Sequence, residues 1–425
     1  MFGSVAGLKI LSFVMGSVCS WSSRETSGCM IHFCWRFCEI INFSSASSWV
    51  VLPEPGPPVM STRNKFLNYF FNFRLYLIFV KCFFLILASL YCLILKINPF
   101  NMKISKIDYG LLNDGPGARQ EFARHLVEGF SEIGFVALHN HPITAELQDE
   151  FHSACHKVFN MPLDHKSEYE IAGFKGQRGY VGFGRETAVG APAADLKEFW
   201  HIGRSEDPQN PLTAGYLPNI FPQEVPEFQR LGLQLYSELE VVAQTLLESL
   251  TDTLDLQADY FREYVASGNS ILRALNYPGY FRVEHEGSQA VRAAAHTDIN
   301  LITLLLGASQ KGLQVQTLGG EWVNVNCRPN EMVVNVGDML QRLSNMRFVS
   351  TVHRVLNPCQ VNDFDAMDDF VPARISIPFF CHPASTMPLN VLDSCVDFQN
   401  PPRFEDITAG DYLNQRLAEL GLLDL

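Results

Sequence analysis

Three groups of residues in this 425-residue chain have types and spacings that can do chemistry. The first is His296-Thr297-Asp298, directly ahead of the apolar, β-branched run Ile299 to Leu305. In an extended strand residues i and i+2 share a face. An imidazole and a carboxylate are therefore expected side by side at the start of a buried strand. They make two-thirds of the 2-His-1-carboxylate set that holds Fe(II) with open positions. Alone, His-x-Asp is only a polar strand end. The second group is His353, 57 residues later, in another strand-like stretch, Ser350 to Val355. The third is Arg374-Ile375-Ser376, 21 residues beyond His353, again an i, i+2 pair. A guanidinium fork takes a carboxylate bidentately, and a neighbouring hydroxyl adds a donor. Iron ligands and a carboxylate clamp on one β scaffold would form a co-substrate site for a small dicarboxylate.

The elements that must position these residues read as follows. Phe122, Leu126, Phe130 and Ile133 mark an amphipathic helix that stops at Gly134, followed by a short strand, Phe135 to Leu138. A second helix is expected after Thr144 as N-cap, with Leu147, Phe151, Cys155 and Val158 on one face. Gly173 to Gly190 is glycine-rich turn or hairpin chemistry, and Lys197 to Ile202 reads as a strand. Within the glycine-rich stretch, Gly179-Tyr180-Val181-Gly182-Phe183-Gly184 lacks a strand before and a helix after, so it is not a nucleotide loop. The longest helical pattern covers Pro226 to Leu250, and a shorter helix is expected near Ala258 to Val265. Short β segments then follow at close spacing: Ile271–Tyr277, Ile299–Leu305, Leu313–Thr317, Trp322–Val325, Met332–Val336, Thr351–Leu356 and Arg374–Phe380. That texture suggests a sandwich or jelly roll. A last helix opens at Thr408 with Asp411 three residues on.

With those residues in view, the chain resembles the isopenicillin N synthase-like Fe(II)/2-oxoglutarate-dependent dioxygenases. His296-x-Asp298, His353 and Arg374-x-Ser376 carry the likeness. It is supported by Gly179-Tyr180, Asp195 to Trp200, Tyr277-Pro278, Gly312 to Val315, Asn335 to Asp338 and Ser376 to Pro383, from Met102 to Leu425. The resemblance implies a mainly β protein with helices: a double-stranded β-helix (jelly-roll) core with an N-terminal α/β domain packed against it. It implies Fe(II) on His296, Asp298 and His353, the distal carboxylate of 2-oxoglutarate on Arg374 and Ser376, Tyr277 helping to hold that co-substrate, O2 as co-reactant, and a small-molecule primary substrate. The bacterial branch often carries the name ethylene/succinate-forming enzyme. Asn276 does not align with the asparagine of the plant pattern. The gap from His353 to Arg374 is long and holds an acidic stretch, Asn362 to Asp369, expected as a surface loop.

The main functional reading is a dioxygenase that oxidises a small molecule and releases succinate and CO2. Three others stay open: ethylene formation from 2-oxoglutarate with arginine, an oxidase whose Arg374/Ser376 clamp holds the substrate's own carboxylate, and a non-catalytic metal- or ligand-binding jelly roll. The intact triad argues against the last. His125, His139, His141, His152, His156, His165, His201, His285 and His382 are expected to be structural. Arg273 and Arg354 are expected as ion-pair formers rather than substrate contacts.

Composition limits the rest. The chain is 47% apolar and 18% charged, which is globular. Residues 1–101 hold 8 Lys/Arg against 3 Asp/Glu, a net of +5; residues 102–425 hold 24 against 42, a net of −18. An acidic body argues against a nucleic-acid surface. The later cysteines (Cys155, Cys327, Cys359, Cys381, Cys395) are scattered thiols of a reducing, cytoplasmic setting. Residues 75–95 are nearly all apolar, broken by Lys81, and are long enough to span a bilayer. The favoured alternative is a start mis-assigned upstream of Met102, because the first 101 residues share no pattern with the rest. The expected division is 1–101 as an apolar extension, 102–255 as the N-terminal dioxygenase domain, 256–385 as the jelly roll and 386–425 as a helical tail.

Overall fold

The computed structural model describes residues 104–185, 197–281, 292–307, 312–317, 319–325, 327–328, 330–356 and 370–419. Residues 75–95, the acidic stretch 362–369, Asp195, Leu196, His285 and Cys359 lie outside them. Among the described residues no helix is long and apolar enough to cross a membrane.

Among the described residues the first elements are β1 (Ser105–Asp108) and helix α1 (Pro116–Glu132). Proline at the first helical position has no N–H to leave unsatisfied, and Phe122, Leu126 and Phe130 are buried. The helix ends as its periodicity predicts, at Gly134, whose φ of 71° suits glycine. Strand β2 (Phe135–His139) follows, then α2 (Ala145–Phe159), where the Thr144 hydroxyl accepts from Leu147 N as the expected N-cap. A short helix α3 (Leu163–Ser167), β3 (Gly179–Val181) and β4 (Glu198–Gly203) lead to α4 (Pro226–Glu248). Phe228, Leu231, Leu235, Leu239, Val242 and Leu246 are all buried along α4. Each such side chain contributes about 1.5–3 kcal/mol over its exposed state. After α5 (Tyr260–Ala266) the chain turns to strands.

These are β5 (Ile271–Tyr277), β6 (Tyr280–Phe281), β7 (Ala293–His296), β8 (Ile302–Leu306), β9 (Leu313–Gln316), β10 (Trp322–Asn324) and β11 (Met332–Val336). Then come helix α6 (Asp338–Leu343), β12 (His353–Val355), β13 (Phe370–Val371), β14 (Arg374–Ser376), β15 (Pro378–Cys381) and helix α7 (Ala409–Glu419). The Thr408–Asp411 capping box at α7 forms as expected, with Thr408 Oγ1 donating to Asp411 Oδ2 and accepting from Asp411 N.

The large sheet runs β1-β2-β11-β8-β15-β5-β4-β3, with β14 also paired to β5. A four-stranded sheet runs β10-β9-β12-β7, and β13 pairs β6 in a small ribbon. The early segment thus supplies both edges of the large sheet, β1–β2 at one side and β3–β4 at the other. Phe135 and Val333 from the large sheet pack with Ala293, Val315 and Val355 from the small one, so the two sheets face each other across an apolar layer. The outer face of the large sheet buries Ile302, Leu304, Val334 and Phe379 in the same cluster as the apolar stripe of α4. This is the jelly-roll core with a helical layer on one side.

Two strand expectations need correction. The strand expected over Ile299–Leu305 begins only at Ile302. His296 closes β7 in the small sheet, and Asp298 lies in the turn that crosses to β8 in the large one. The expected strand Arg374–Phe380 is divided at Ile377 into β14 and β15.

Candidate active site

His296 and His353 are brought together by strand pairing: they are direct partners in the β7–β12 ladder. Their ring centroids lie 4.5 Å apart. Asp298 arrives from the turn after β7. Its Oδ1 is 3.9 Å from His296 Nε2 and 3.8 Å from His353 Nε2. One ligand atom from each of the three lies within 4.8 Å of the others, a spacing that suits a single metal ion. So the three residues singled out in the sequence do meet, while the expected side-by-side placement on one strand is replaced by two neighbouring strands of the small sheet and a turn.

The second contacts fix how each ligand is presented. His296 Nδ1 is 2.7 Å from the Ala294 carbonyl and His353 Nδ1 is 3.1 Å from the Thr351 carbonyl. A carbonyl only accepts, so in each ring Nδ1 carries the proton and Nε2 keeps its lone pair. On Asp298, Oδ2 accepts from Thr303 Oγ1 at 2.7 Å and from Asn335 Nδ2 at 2.8 Å, which leaves Oδ1 turned to the histidines. Asn300 Nδ2 in turn donates to Thr303 Oγ1. Below the turn, Asp338 N donates to Asp298 O, and the Asp338 carboxylate takes the hydroxyls of Ser350 and Thr297. Phe135 packs edge-on to the His353 ring.

Electrostatics follow from this packing. His296 has one edge open to solvent, with 40% of the side chain exposed, yet protein surrounds the rest of the ring. That enclosure, followed by the proximity of His353, lowers its pKa to about 4. For Asp298, burial raises the pKa, but His353 and His296 together with Asn335 and Thr303 outweigh it and hold the carboxyl below its usual range. Asp338 moves the other way, raised by burial.

The third group sits on the large sheet. In the β14–β5 ladder Arg374 pairs with Tyr277 and Ser376 with Leu275. All four are buried. The Arg374 guanidinium lies 5.6 Å from the Tyr277 ring centre, and Arg292 lies 5.7 Å from it. Arg374 Nε and Nη1 are buried with no hydrogen-bond partner among the described residues. A buried guanidinium with two unanswered donors is costly, and a carboxylate is the group that would satisfy both at once.

Thr303, Asn335 and Arg292 were not singled out for a role in the sequence. Thr303 had a readable signal, a lone hydroxyl in an apolar strand five residues after Asp298; Arg292 had none. Among the described residues Arg354 forms no ion pair, which differs from the expectation for it. Arg273 Nε donates to His201 Nε2 at 2.6 Å and its guanidinium stacks over Phe199 and Phe380. Arg354 bonds Gln314 and lies 3.9 Å from the Trp322 ring centre. His201 Nδ1 contacts Gly176 O.

Comparison with known proteins agrees with this geometry. Residues 104–224 match the family described as non-haem dioxygenase in morphine synthesis N-terminal, and residues 269–383 match the 2OG-Fe(II) oxygenase superfamily. A 2-oxoglutarate-dependent dioxygenase, frbA, from Dothideomycetidae sp. (strain 11243) is 31% identical over 340 residues, covering 74% of this chain and 96% of that one. Proline hydroxylase buaE from Petromyces alliaceus is 30% identical, covering 75% and 99%. Among solved structures, a protein from Caulobacter crescentus assigned to the 2OG-Fe(II) oxygenase family is 39% identical, with a TM-score of 0.65 over 75% of this chain and 99% of that one. A full-length Neurospora crassa protein solved in complex with alpha-KG and thymine is 31% identical, with a TM-score of 0.66 over 74% and 96%. The chain belongs to the Fe(II)/2-oxoglutarate dioxygenases of the isopenicillin N synthase-like kind. It is a non-haem iron oxidoreductase that uses Fe(II), 2-oxoglutarate and O2 and acts on a small molecule.

Proposed function

We propose that His296, Asp298 and His353 are the iron ligands of this dioxygenase, that Arg374 and Ser376 hold the distal carboxylate of 2-oxoglutarate, and that Tyr277 walls that site. The observation that carries the reading is the pair of buried, unanswered donors on Arg374 on the sheet facing the His-Asp-His cluster. With iron, 2-oxoglutarate and O2 bound, the chemistry supplied is oxidation of the primary substrate coupled to decarboxylation of 2-oxoglutarate to succinate and CO2. The chain's own residues prepare for it. The Ala294 and Thr351 carbonyls hold both imidazoles in the tautomer whose Nε2 can bind a metal. Thr303 and Asn335 occupy Asp298 Oδ2, so Oδ1 is the oxygen presented to the ion. Three protein ligands leave room for a chelating co-substrate and O2. Tyr277 beside the Arg374 guanidinium keeps water from the clamp.

Residues 102–255 serve as the N-terminal domain, 256–385 as the jelly roll and 386–425 as the tail. Cys155, Cys327, Cys381 and Cys395 are free thiols, which supports a reducing, cytoplasmic setting. The primary substrate is a small organic molecule; the thymine in the Neurospora crassa complex illustrates the size class.

The test incubates the protein with Fe(II), O2 and 2-oxoglutarate, with and without arginine, and measures succinate and ethylene. Succinate without ethylene is expected, and no 2-oxoglutarate consumption with any candidate substrate defeats the reading. His296→Ala should abolish Fe(II) binding. Arg374→Leu should weaken 2-oxoglutarate far more than iron; equal loss of both would contradict the assigned roles.

A further inference from the structure

Behind the proposed clamp, on the opposite face of the large sheet, lies a buried charged network that the chemistry above does not use. Glu198 on β4 and Lys166 on α3 are both buried. Glu198 Oε2 accepts from Lys166 Nζ at 2.7 Å and from Tyr180 OH at 2.6 Å. Its other oxygen, Oε1, accepts from Asn276 Nδ2 at 2.8 Å. Lys166 Nζ also donates to the carbonyl of Phe159, the last residue of α2. One carboxylate thus ties α2, α3, β3 and β4 to β5.

A buried ion pair is weak evidence for stability, because apolar residues of the same volume often do as well; its best-attested use is to fix one geometry. The ladder identifies what is fixed here. Asn276 pairs with Glu198 on one side and with Ile375 on the other. Its neighbours Leu275 and Tyr277 oppose Ser376 and Arg374. Side chains alternate along a strand, so Asn276 reaches back to Glu198 while Tyr277 faces the clamp.

We infer that Glu198, acting through Asn276, is a positioning residue for the 2-oxoglutarate site: it sets β5 against β14 so that Tyr277, Arg374 and Ser376 converge. This rests on the reading that those three hold 2-oxoglutarate. Neither Glu198 nor Asn276 touches the co-substrate. The link also runs from the segment matching the N-terminal family (104–224) into the one matching the oxygenase family (269–383), so the helical layer helps define co-substrate affinity.

The test replaces Asn276 by Leu, of similar volume, which cuts the link and leaves the Lys166–Glu198–Tyr180 contacts in place. 2-Oxoglutarate binding is measured by calorimetry on the Mn(II)-loaded protein, beside steady-state kinetics. The dissociation constant and KM for 2-oxoglutarate should rise roughly tenfold, the scale of one lost buried hydrogen bond. Mn(II) affinity and kcat at saturating 2-oxoglutarate should stay near the wild-type values. A lowered melting temperature with unchanged 2-oxoglutarate affinity would mean a merely structural role and would overturn the inference. If Asn276→Leu does not fold, Asn276→Ser is judged by the same criteria. A wild-type protein that binds Mn(II) but no 2-oxoglutarate would instead remove the clamp reading itself, and this inference with it.

Discussion

Asp298 shows how much of the site depends on single hydrogen bonds. Two donors fasten one of its oxygens, and removing either lets the carboxylate turn. Thr303→Val keeps the shape and deletes the hydroxyl. Metal affinity should fall about 10–100-fold, the usual effect of losing an outer partner, and Fe(II) titration under anaerobic conditions would reveal it; unchanged affinity would show that Asn335 suffices. The histidines give a pH prediction. Burial and His353 depress the His296 pKa to about 4, below the ordinary 6.5. The folded protein therefore resists protonation there, and its stability falls as pH drops from about 6.5 toward 4, the window between the two pKa values. Metal binding should weaken as the pH falls through that window, because protons compete with the ion for His296 Nε2, and binding unchanged at pH 4 would contradict the ligand role.

At the scale of elements, the sequence was legible where one face is buried over a long stretch. The α4 stripe and β5 fall where their periodicities put them, because apolar burial decides both. The region around Asp298 was less legible. The β-branched run suggested one strand from Ile299, yet Asn300 is fully buried and Leu301 N bonds Cys381 O before β8 begins. That transfer between sheets is a long-range event, encoded in partners more than thirty residues away, so no local pattern announces it. The split of the last strand at Ile377 is similar. The junction of α1 and β2 makes a sharper case. Gly134 combines a left-handed φ of 71° with close packing against the Val349 carbonyl and Thr351. Its own carbonyl accepts from Val336 N. Gly134→Ala should cost about 1–3 kcal/mol from backbone strain, besides the clash. It should also disturb the segment that carries His353. A loss of both melting temperature and Fe(II) affinity is expected; an unaltered iron site would separate α1 from the chemistry.

For the whole molecule, both edges of the large sheet come from residues before β5, so the segment matching the N-terminal family is part of the scaffold. The regions matching both families, the ligands and the clamp all fall between residues 104 and 383. A chain beginning at Met102 should therefore fold and consume 2-oxoglutarate at the full chain's rate. Loss of folding on removal of residues 1–101 would show that the extension belongs to the working protein, as would peptides from it in the mass spectrum of the native protein.

The histidines belong to the small sheet and Arg374 to the large one. A dicarboxylate chelated at one end and gripped at the other would be a rivet through both layers. Its binding energy would then resist their separation, adding about 2.7 kcal/mol to stability at a hundredfold excess over its dissociation constant. Amide hydrogens of β12 and β14, in different sheets, should slow together when 2-oxoglutarate is added to the metal-loaded protein, and a monocarboxylic keto acid, which cannot reach across, should protect β12 alone.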